Sequence, residues 1–111
     1  MHPTTLAIDL ALEVRKGDYE RFLAIQLAPT ALRPALYAVT VFNGELSHIS
    51  QTVSESMLGH IRLAWWREAL EEIVAGKNPR AHPVVEALAQ VYAATPAVFG
   101  CLFAMLEARA A

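Results

Sequence analysis

The amino-acid sequence predicts an all-α protein, a bundle of amphipathic helices. Apolar residues recur at three- and four-residue spacing along most of the chain of 111 residues, which places them on one face of a helix. Residues that start and stop helices, mainly aspartate, serine, proline and glycine, separate these apolar stretches. No segment of the sequence alternates apolar and polar residues as a strand would. A chain of this length has room for one domain, so residues 1–111 are expected to form a single domain.

The first two predicted helices are short. Residues 4–15 predict the first, and Gly17 provides its C-terminal stop. Asp18 then favours the start of a second helix, because its side chain can accept hydrogen bonds from the N–H groups of the first turn. This helix is expected to run to about Leu27, before Pro29.

A third and longer helix is predicted to begin near Thr30 or Pro34 and to end at about Thr52. Its apolar residues have the near-heptad spacing of a helix that packs against another helix. They are Leu32, Val39, Phe42, Leu46, Ile49 and Val53. We therefore expect this helix to be largely buried.

The fourth predicted helix runs from Glu55 to Ala75, with Ser54 as its N-cap and Gly76 as its stop. It contains two adjacent tryptophans, whose side chains point about a hundred degrees apart on a helix. Each tryptophan continues a different apolar line, so the helix is expected to be covered on two sides. The line through Trp65 comprises Leu58, Ile61 and Ala69, and the line through Trp66 comprises Leu63, Leu70 and Ile73.

The last two predicted helices follow the segment KNPRAH. His82 is expected to cap a fifth helix over residues 83–94, because that helix begins with a proline, which is favoured at the first position. Thr95 and Pro96 are expected to be the cap and first residue of a sixth helix, which runs to the end of the chain. The sixth helix is apolar nearly all round in AVFGCLFAML, and Cys101 is expected to be a small residue of the core.

The composition excludes some kinds of partner. The formal net charge is -2, with 11 acidic and 9 basic residues, so there is no basic surface for nucleic acid and no polybasic membrane tether. No apolar run is long enough to span a bilayer, and the amino terminus lacks the pattern of a secretion signal, so we expect a cytoplasmic protein. Hydrophobic residues make up 55% of the chain, which is rich for a small soluble domain. This surplus predicts an apolar cavity, a protein partner or self-association.

One face of the third helix is polar and small. Spacings of four, three and four residues in and just before VFNGELSHISQ place four residues in line. They are Thr40, Gly44, Ser47 and Gln51. Two interpretations stay open: the face lines a cavity, or it permits close helix packing over Gly44. Glu45 and His48 form one half of the paired Glu-x-x-His motif of di-iron bundles, but the sequence has no second copy, so no metal site is expected.

Three stretches resemble the opening of the squalene/phytoene synthase family. They are DYERFLAIQLAPTALRPALYAVTVFNGELSHI, GHIRLAWWREAL and HPVVEALAQVY. The likeness runs over residues 18–92, and its most specific part comprises Pro29, Arg33, residues 36–38 and Phe42. It covers well under half of the family's usual domain. The resemblance therefore implies the N-terminal part of an isoprenoid-synthase-type fold, that is, an incomplete domain.

The family joins two prenyl diphosphates with the help of magnesium, which two aspartate-rich motifs on facing helices hold. The first motif, Asp-Asp-x-x-Asp, falls here on Ser47, His48 and Gln51. None of these side chains is a carboxylate, and neutral groups of this kind coordinate magnesium weakly. The resemblance therefore implies a scaffold without its magnesium face. No cofactor is expected, and magnesium would be needed only by an active enzyme.

The stretches IRLAWWREAL and FNGELSHIS are most similar to a non-catalytic branch of the family, whose mitochondrial members assist the assembly of respiratory complex I. The first hypothesis is thus a binding or assembly domain, located in the cytoplasm or, for the eukaryotic relatives, in the mitochondrial matrix. Its partners would be a protein, a second copy of the chain, an apolar isoprenoid ligand or a membrane surface.

Two alternatives remain. One is an active prenyl transferase with Arg33, Tyr37 or Arg62 at the phosphates; the other is a helical interaction module that uses no ligand. The residues expected to line a ligand cavity are Tyr37, Thr40, Gly44, Ser47, His48, Gln51, Arg33, Arg62 and Trp65.

Overall fold

A computed structural model of the chain describes residues 9–52 and 56–110, with the side chains of residues 51, 52, 56 and 110 outside the description. These residues form six α-helices and one short 3-10 helix, so the described part of the chain is all-α, as predicted. The α-helices are α1 (Leu10–Gly17), α2 (Tyr19–Ile25), α3 (Arg33–Thr52), α4 (Ser56–Val74), α5 (Pro83–Ala94) and α6 (Val98–Ala110), and the 3-10 helix is Thr30–Leu32. None of the described helices is both long and apolar enough to cross a membrane.

The start of the chain differs from the prediction. Asp9 has an extended backbone and its side chain accepts a hydrogen bond from the Leu12 N–H group at 3.3 Å. It is therefore the N-cap of α1, and the prediction of one helix over residues 4–15 is wrong at this residue. Gly17 belongs to α1 instead of following it. Residues 4–8 lie outside the described part of the chain.

The second and third helices follow the prediction closely. The Asp18 side chain accepts from the Arg21 N–H group at 3.1 Å, which confirms the predicted cap of α2. The helix ends at Ile25, two residues before the predicted Leu27. The 3-10 helix then leads into α3, which ends at the predicted Thr52.

Helix α3 lies at the centre of the bundle and packs against all five other α-helices. The largest fully buried side chains come from α3, α4, α5 and α6. They are Phe42, Leu46, Leu70, Leu88, Leu102, Leu106 and Val85. The predicted burial of the apolar residues of α3 at near-heptad spacing is confirmed at Phe42, Leu46 and Ile49. It is wrong at Leu32, which is 51% exposed because it precedes α3 in the 3-10 helix; Val53 lies outside the described residues.

Helix α4 is covered on both predicted sides in its second half, but only on one side at its start. The line through Trp66 is buried at Leu70 and Ile73, as predicted. The line through Trp65 is open at its start, where Leu58 is 49% and Ile61 is 56% exposed. The prediction of cover on two sides is therefore wrong at Leu58 and Ile61, which no described element covers, and is confirmed at Ala69, which is 1% exposed. The predicted N-cap, Ser54, lies outside the described residues.

Helix α6 begins later than predicted and turns its small residues outward. Thr95 is the C-cap of α5, and its carbonyl accepts from the Val98 N–H group at 3.2 Å within the turn between the two helices. Leu102 and Leu106 face the core, whereas Cys101 is exposed. The prediction of a buried cysteine is wrong, because a helix that is apolar all round still turns one side away from its neighbours.

Gly76 ends α4, as predicted, and its backbone requires glycine. Its φ angle is +83°, and the Lys77 N–H group donates to the Glu72 carbonyl at 3.0 Å across the turn. This is the left-handed conformation that L-residues with a side chain disfavour.

Replacing Gly76 with alanine is expected to lower the free energy of unfolding by about 1 kcal/mol. A β-carbon there would meet nothing within 4 Å, so the cost comes from the backbone alone. Gly100→Ala in α6 is the matched control: a β-carbon there also meets nothing within 4 Å, and α6 is an ordinary helix, so this change should stabilise the protein by about 0.5–1 kcal/mol. Urea denaturation of both variants checks the opposite signs; two changes of the same sign would contradict the assignment.

Candidate functional site

The polar stripe of α3 is open to solvent at its middle. Gly44 is exposed, and a β-carbon there would meet nothing within 4 Å. Among the described residues, therefore, no helix packs closely over Gly44, contrary to the second interpretation. The Thr40 hydroxyl donates to the Leu36 carbonyl at 2.9 Å, within α3. The backbone of Gln51 belongs to α3, but its side chain lies outside the described residues.

A cavity of about 310 Å³ lies beside this stripe, between α3 and the turn that joins α1 to α2. Thr40 and Gly44 belong to its lining, and so do two charged residues, Asp18 of the turn and Arg21 of α2. The cavity therefore has a polar wall. The Asp18 carboxylate is already engaged, because it caps α2 and lies 3.9 Å from the Arg21 guanidinium.

The next residue of the stripe, Ser47, contacts an arginine that the sequence analysis missed. Arg109 of α6 donates from Nη2 to the Ser47 hydroxyl oxygen at 2.9 Å and to the Asn43 side-chain oxygen at 3.4 Å. Its Nη1 donates to the Ser50 hydroxyl oxygen at 3.1 Å. The polar face of α3 thus carries a positive charge that comes from the far end of the described chain.

Three other predicted residues lie together on a different side of α3. His48, Arg62 and Trp65 line a cavity of about 290 Å³ between α3, α4 and the start of α5. The remaining lining residues are Glu45, Ile49, Trp66 and His82. This cavity does not include Ser47 or Gly44, so the structure divides the predicted site between two faces of the central helix.

His82 forms one wall of this second cavity and also confirms a predicted cap. Its ring centroid lies 5.5 Å from that of Trp65 and 5.3 Å from that of Trp66. Its Nδ1 accepts from the Val84 N–H group at 3.1 Å, at the start of α5.

Arg33 and Tyr37, the last two predicted residues, hold the connection between α2 and α3. Arg33 donates from Nε to the Ala28 carbonyl at 3.1 Å and from Nη2 to the Gln26 carbonyl at 2.9 Å. The Tyr37 hydroxyl oxygen accepts from Gln26 Nε2 at 2.8 Å. Neither residue belongs to the lining of the two cavities described above. The geometry therefore gives both a structural role.

Arg80 and two glutamates of α4, Glu68 and Glu72, form a charged clasp beside the wall of the second cavity. Arg80 donates to both carboxylate oxygens of Glu72, from Nε at 2.9 Å and from Nη2 at 2.7 Å, and contacts Glu68 at 3.3 Å. Its guanidinium carbon lies 5.1 Å from the centre of the Trp65 ring. The hydrogen bonds that Arg80 donates hold the pKa of the Glu72 carboxyl below its usual value.

The clasp predicts a pH dependence of stability. Because the pKa of Glu72 is lower in the folded chain than in the unfolded chain, its contribution is complete above the usual value of 4.5 and is lost as the pH falls through the lower folded value. The free energy of unfolding of the wild type should therefore exceed that of Glu72→Gln near pH 6, and the gap should close in acid. Urea denaturation from pH 6 to pH 3 measures it; a gap that does not change with pH would contradict the prediction. Glu107→Gln, on the exposed side of α6, is the control.

The described chain is an all-α bundle whose central helix carries a polar stripe without a carboxylate at Thr40, Gly44 and Ser47. Residues 14–111 match the squalene/phytoene synthase family, and the chain belongs to that family. The resemblance identified from the sequence is thus confirmed, over a longer stretch than the motifs alone indicated.

The chain is similar to curated relatives with a more specific name. The relative called NADH dehydrogenase (ubiquinone) complex I, assembly factor 6, is 37% identical over 71 residues in Homo sapiens and in Bos taurus, and covers 64% of this chain. The homolog of this factor in Drosophila melanogaster is 31% identical over 70 residues, and the match covers 62% of this chain. The matched part is only 21% of the length of each relative. No solved structure matches the chain at a significant level.

The family implies magnesium at the polar face of α3, and the donors found there do not fit it. Magnesium prefers carboxylate and water oxygens, whereas the Ser47 oxygen accepts from a guanidinium group. A cation placed against Ser47 would also be repelled by Arg109. Among the described side chains, no group of three or more histidine, cysteine, aspartate or glutamate residues is placed to hold a metal.

Proposed function

We propose that this chain is a non-catalytic domain that takes part in the assembly of respiratory complex I. Its family membership and its similarity to relatives that bear the name of an assembly factor support the proposal. The observation that carries its non-catalytic part is the contact between Arg109 and Ser47, at the position where the resemblance places the first aspartate of the magnesium motif.

The physical argument concerns the ionisation of a prenyl diphosphate. In the family, magnesium neutralises the departing diphosphate, and such stabilisation of developing charge needs carboxylates to hold the ions. Ser47 and His48 supply no such ligand. Two further residues of the enzyme alternative are occupied elsewhere, since Arg33 and Tyr37 hold the connection between α2 and α3. The active prenyl transferase is therefore the weaker hypothesis.

An enzymatic assay separates the two hypotheses. The chain is incubated with farnesyl or geranylgeranyl diphosphate and Mg²⁺, and the release of diphosphate is measured beside an active squalene synthase. We expect no release above the rate without protein. Release at an enzymatic rate would overturn the non-catalytic part of the proposal and favour the transferase.

A genetic experiment tests the assembly part. The gene that encodes the chain is deleted in its own organism, and NADH:ubiquinone oxidoreductase activity and complex I subassemblies on native gels are compared with the parent strain. Lower activity with accumulated subassemblies is expected. Unchanged complex I in the deletion strain, with the deletion verified, would overturn the assembly role.

The proposed partner is a protein, and the exposed start of α4 offers a surface for it. Met57 is 69% exposed and precedes Leu58 and Ile61 on the open side of this helix. Exposed apolar surface of this kind marks interaction sites, including contact between two copies of one chain. We propose that no cofactor is required, and that the protein works where complex I is assembled: the cytoplasm, or the mitochondrial matrix in eukaryotes.

Sedimentation tests the proposed partner surface. If the chain self-associates, the isolated protein should sediment with a mass above that of one chain. If the surface binds a protein partner, the chain should sediment together with a complex I intermediate. A chain that sediments as a monomer and is absent from every intermediate would overturn the partner proposal.

A further inference from the structure

The second cavity continues into the exposed apolar start of α4. Leu58 and Ile61 stand four residues before two lining residues of the cavity, Arg62 and Trp65 respectively. Residues four apart are neighbours on one face of a helix, and both Leu58 and Ile61 are exposed. The cavity and this apolar strip together form one open groove along α3 and α4, the α3–α4 groove.

The dimensions of the α3–α4 groove suit a helix of a protein better than a small molecule. The cavity has a volume of about 290 Å³, whereas small-molecule sites typically have about 300–1,000 Å³. It therefore suits one protruding side chain. The strip from Leu58 to Trp65 spans about 10 Å, or two turns of α4. An amphipathic helix binds a groove of this kind through apolar anchors at i, i+3 or i+4, and i+7.

The residues at the bottom of the groove are of the types that dominate binding energy. Ile49 and Trp66 are buried there, and the rings of Trp65 and Trp66 meet edge to face with centroids 5.0 Å apart. Tryptophan and arginine are enriched among the residues that carry most of the energy of protein interfaces. Arg80 lies 5.1 Å from the centre of the Trp65 ring, so this aromatic wall is ordered before a partner binds, which lowers the cost of binding.

The two long walls of the groove carry opposite charges. Glu45 comes from α3 and Arg62 from α4. Neither lies within 4.0 Å of an oppositely charged group among the described side chains. The other titratable residues of the lining are His48 and His82, so Glu45 is the only carboxylate among them. A complementary partner therefore carries a base toward α3 and an acid toward α4.

We propose that the α3–α4 groove binds an amphipathic helix of a partner protein. A large apolar side chain of that helix enters the cavity, an acidic residue meets Arg62, and a basic residue meets Glu45. The inference rests on the proposed function, because it names the kind of partner that an assembly protein holds at the start of α4.

Photo-cross-linking of the full chain in its own organism identifies the occupant of the groove. Ile61 is replaced with p-benzoylphenylalanine, the cells are irradiated, and the cross-linked peptide is sequenced by mass spectrometry. Leu27, which is exposed on the connection between α2 and α3, receives the same replacement as the control. From position 61 we expect a peptide of another protein with apolar residues at helical spacing, an acid on one flank and a base on the other. The control should not yield this peptide.

Charge reversal tests the two walls separately. Arg62→Glu and Glu45→Lys should each lower the yield of the cross-link about fivefold, because each brings like charges together. Arg15→Glu, on the exposed side of α1, should leave the yield unchanged. Arg62 is exposed and Glu45 is half-buried, so both variants should keep the helical circular dichroism of the wild type. A yield that neither reversal lowers would overturn the proposal.

The remaining outcomes separate this inference from the proposed function. A cross-link to the chain's own sequence, or none from position 61, would overturn the groove proposal, and the assembly role would stand if the chain still sediments with a complex I intermediate. A charge-dependent cross-link to an amphipathic helix, together with unchanged complex I in the deletion strain, would support the groove and overturn the assembly role.

Discussion

Replacing Phe42 with alanine is expected to lower the free energy of unfolding by about 3–5 kcal/mol. The side chain is fully buried on α3, and its ring meets the Trp66 ring edge to face with centroids 5.5 Å apart. Alanine would leave a cavity at the point where the central helix meets α4. Single domains are stable by about 5–15 kcal/mol in total, so this one change should remove much of the stability. Urea denaturation followed by tryptophan fluorescence and circular dichroism measures the loss.

Leu27→Ala is the matched control for the Phe42 experiment. Leu27 is 90% exposed, so its loss should change the free energy of unfolding by less than about 0.5 kcal/mol. If Phe42→Ala were as mild as this control, Phe42 would not belong to the core, and the central position of α3 would be wrong.

The helices that carry local signals could be predicted from the sequence. The bounds of α5 agree with the prediction because His82 and Pro83 are adjacent and fix where a helix can begin. Gly76 fixes the end of α4 in the same way, through its left-handed backbone. Asp9 shows the limit of such signals: it is as good a cap as Asp18, but the apolar spacing through it indicated an unbroken helix.

Burial was harder to predict than helicity. Spacing shows which side chains share a face, but it does not show how many neighbours the face has. Leu58, Ile61 and Cys101 all lie in apolar lines, and all are exposed because no described helix covers those sides of α4 and α6. The burial of Phe42 and Leu46 was predicted correctly because α3 packs against all five other α-helices.

The candidate site shows the same limit at longer range. The polar stripe was visible from spacing, since Thr40, Gly44 and Ser47 lie within one helix. Arg109 was not, because it is 62 residues away from Ser47 along the chain and nothing in the local sequence of α6 indicates its partner. The arginine near the end of a mostly apolar helix was the available signal, since such a charge must find polar groups or water. A prediction of its acceptors needs the packing of α6 on α3.

Arg33 was predicted to lie at the phosphates of an active enzyme, but its contacts in the structure give it a structural role. Its guanidinium closes the connection between α2 and α3 by donating to two backbone carbonyls, those of Gln26 and Ala28. Both bonds are partly buried, so loss of the donor leaves carbonyl groups with poor access to water. Arg62, the other arginine predicted at the phosphates, is exposed on α4 and lies within 4.0 Å of no carboxylate among the described residues.

Arg33→Ala is therefore expected to lower the free energy of unfolding by about 2–3 kcal/mol, since hydrogen bonds from charged groups to partly buried acceptors are worth more than neutral ones. Arg33→Lys should lose an intermediate amount, because an ammonium group cannot span both carbonyls. Arg62→Ala should change stability by less than about 0.5 kcal/mol. Guanidinium chloride denaturation of the three variants gives the comparison. Equal stability of Arg33→Ala and Arg62→Ala would remove the structural role of Arg33 and return it to the list of ligand-binding candidates.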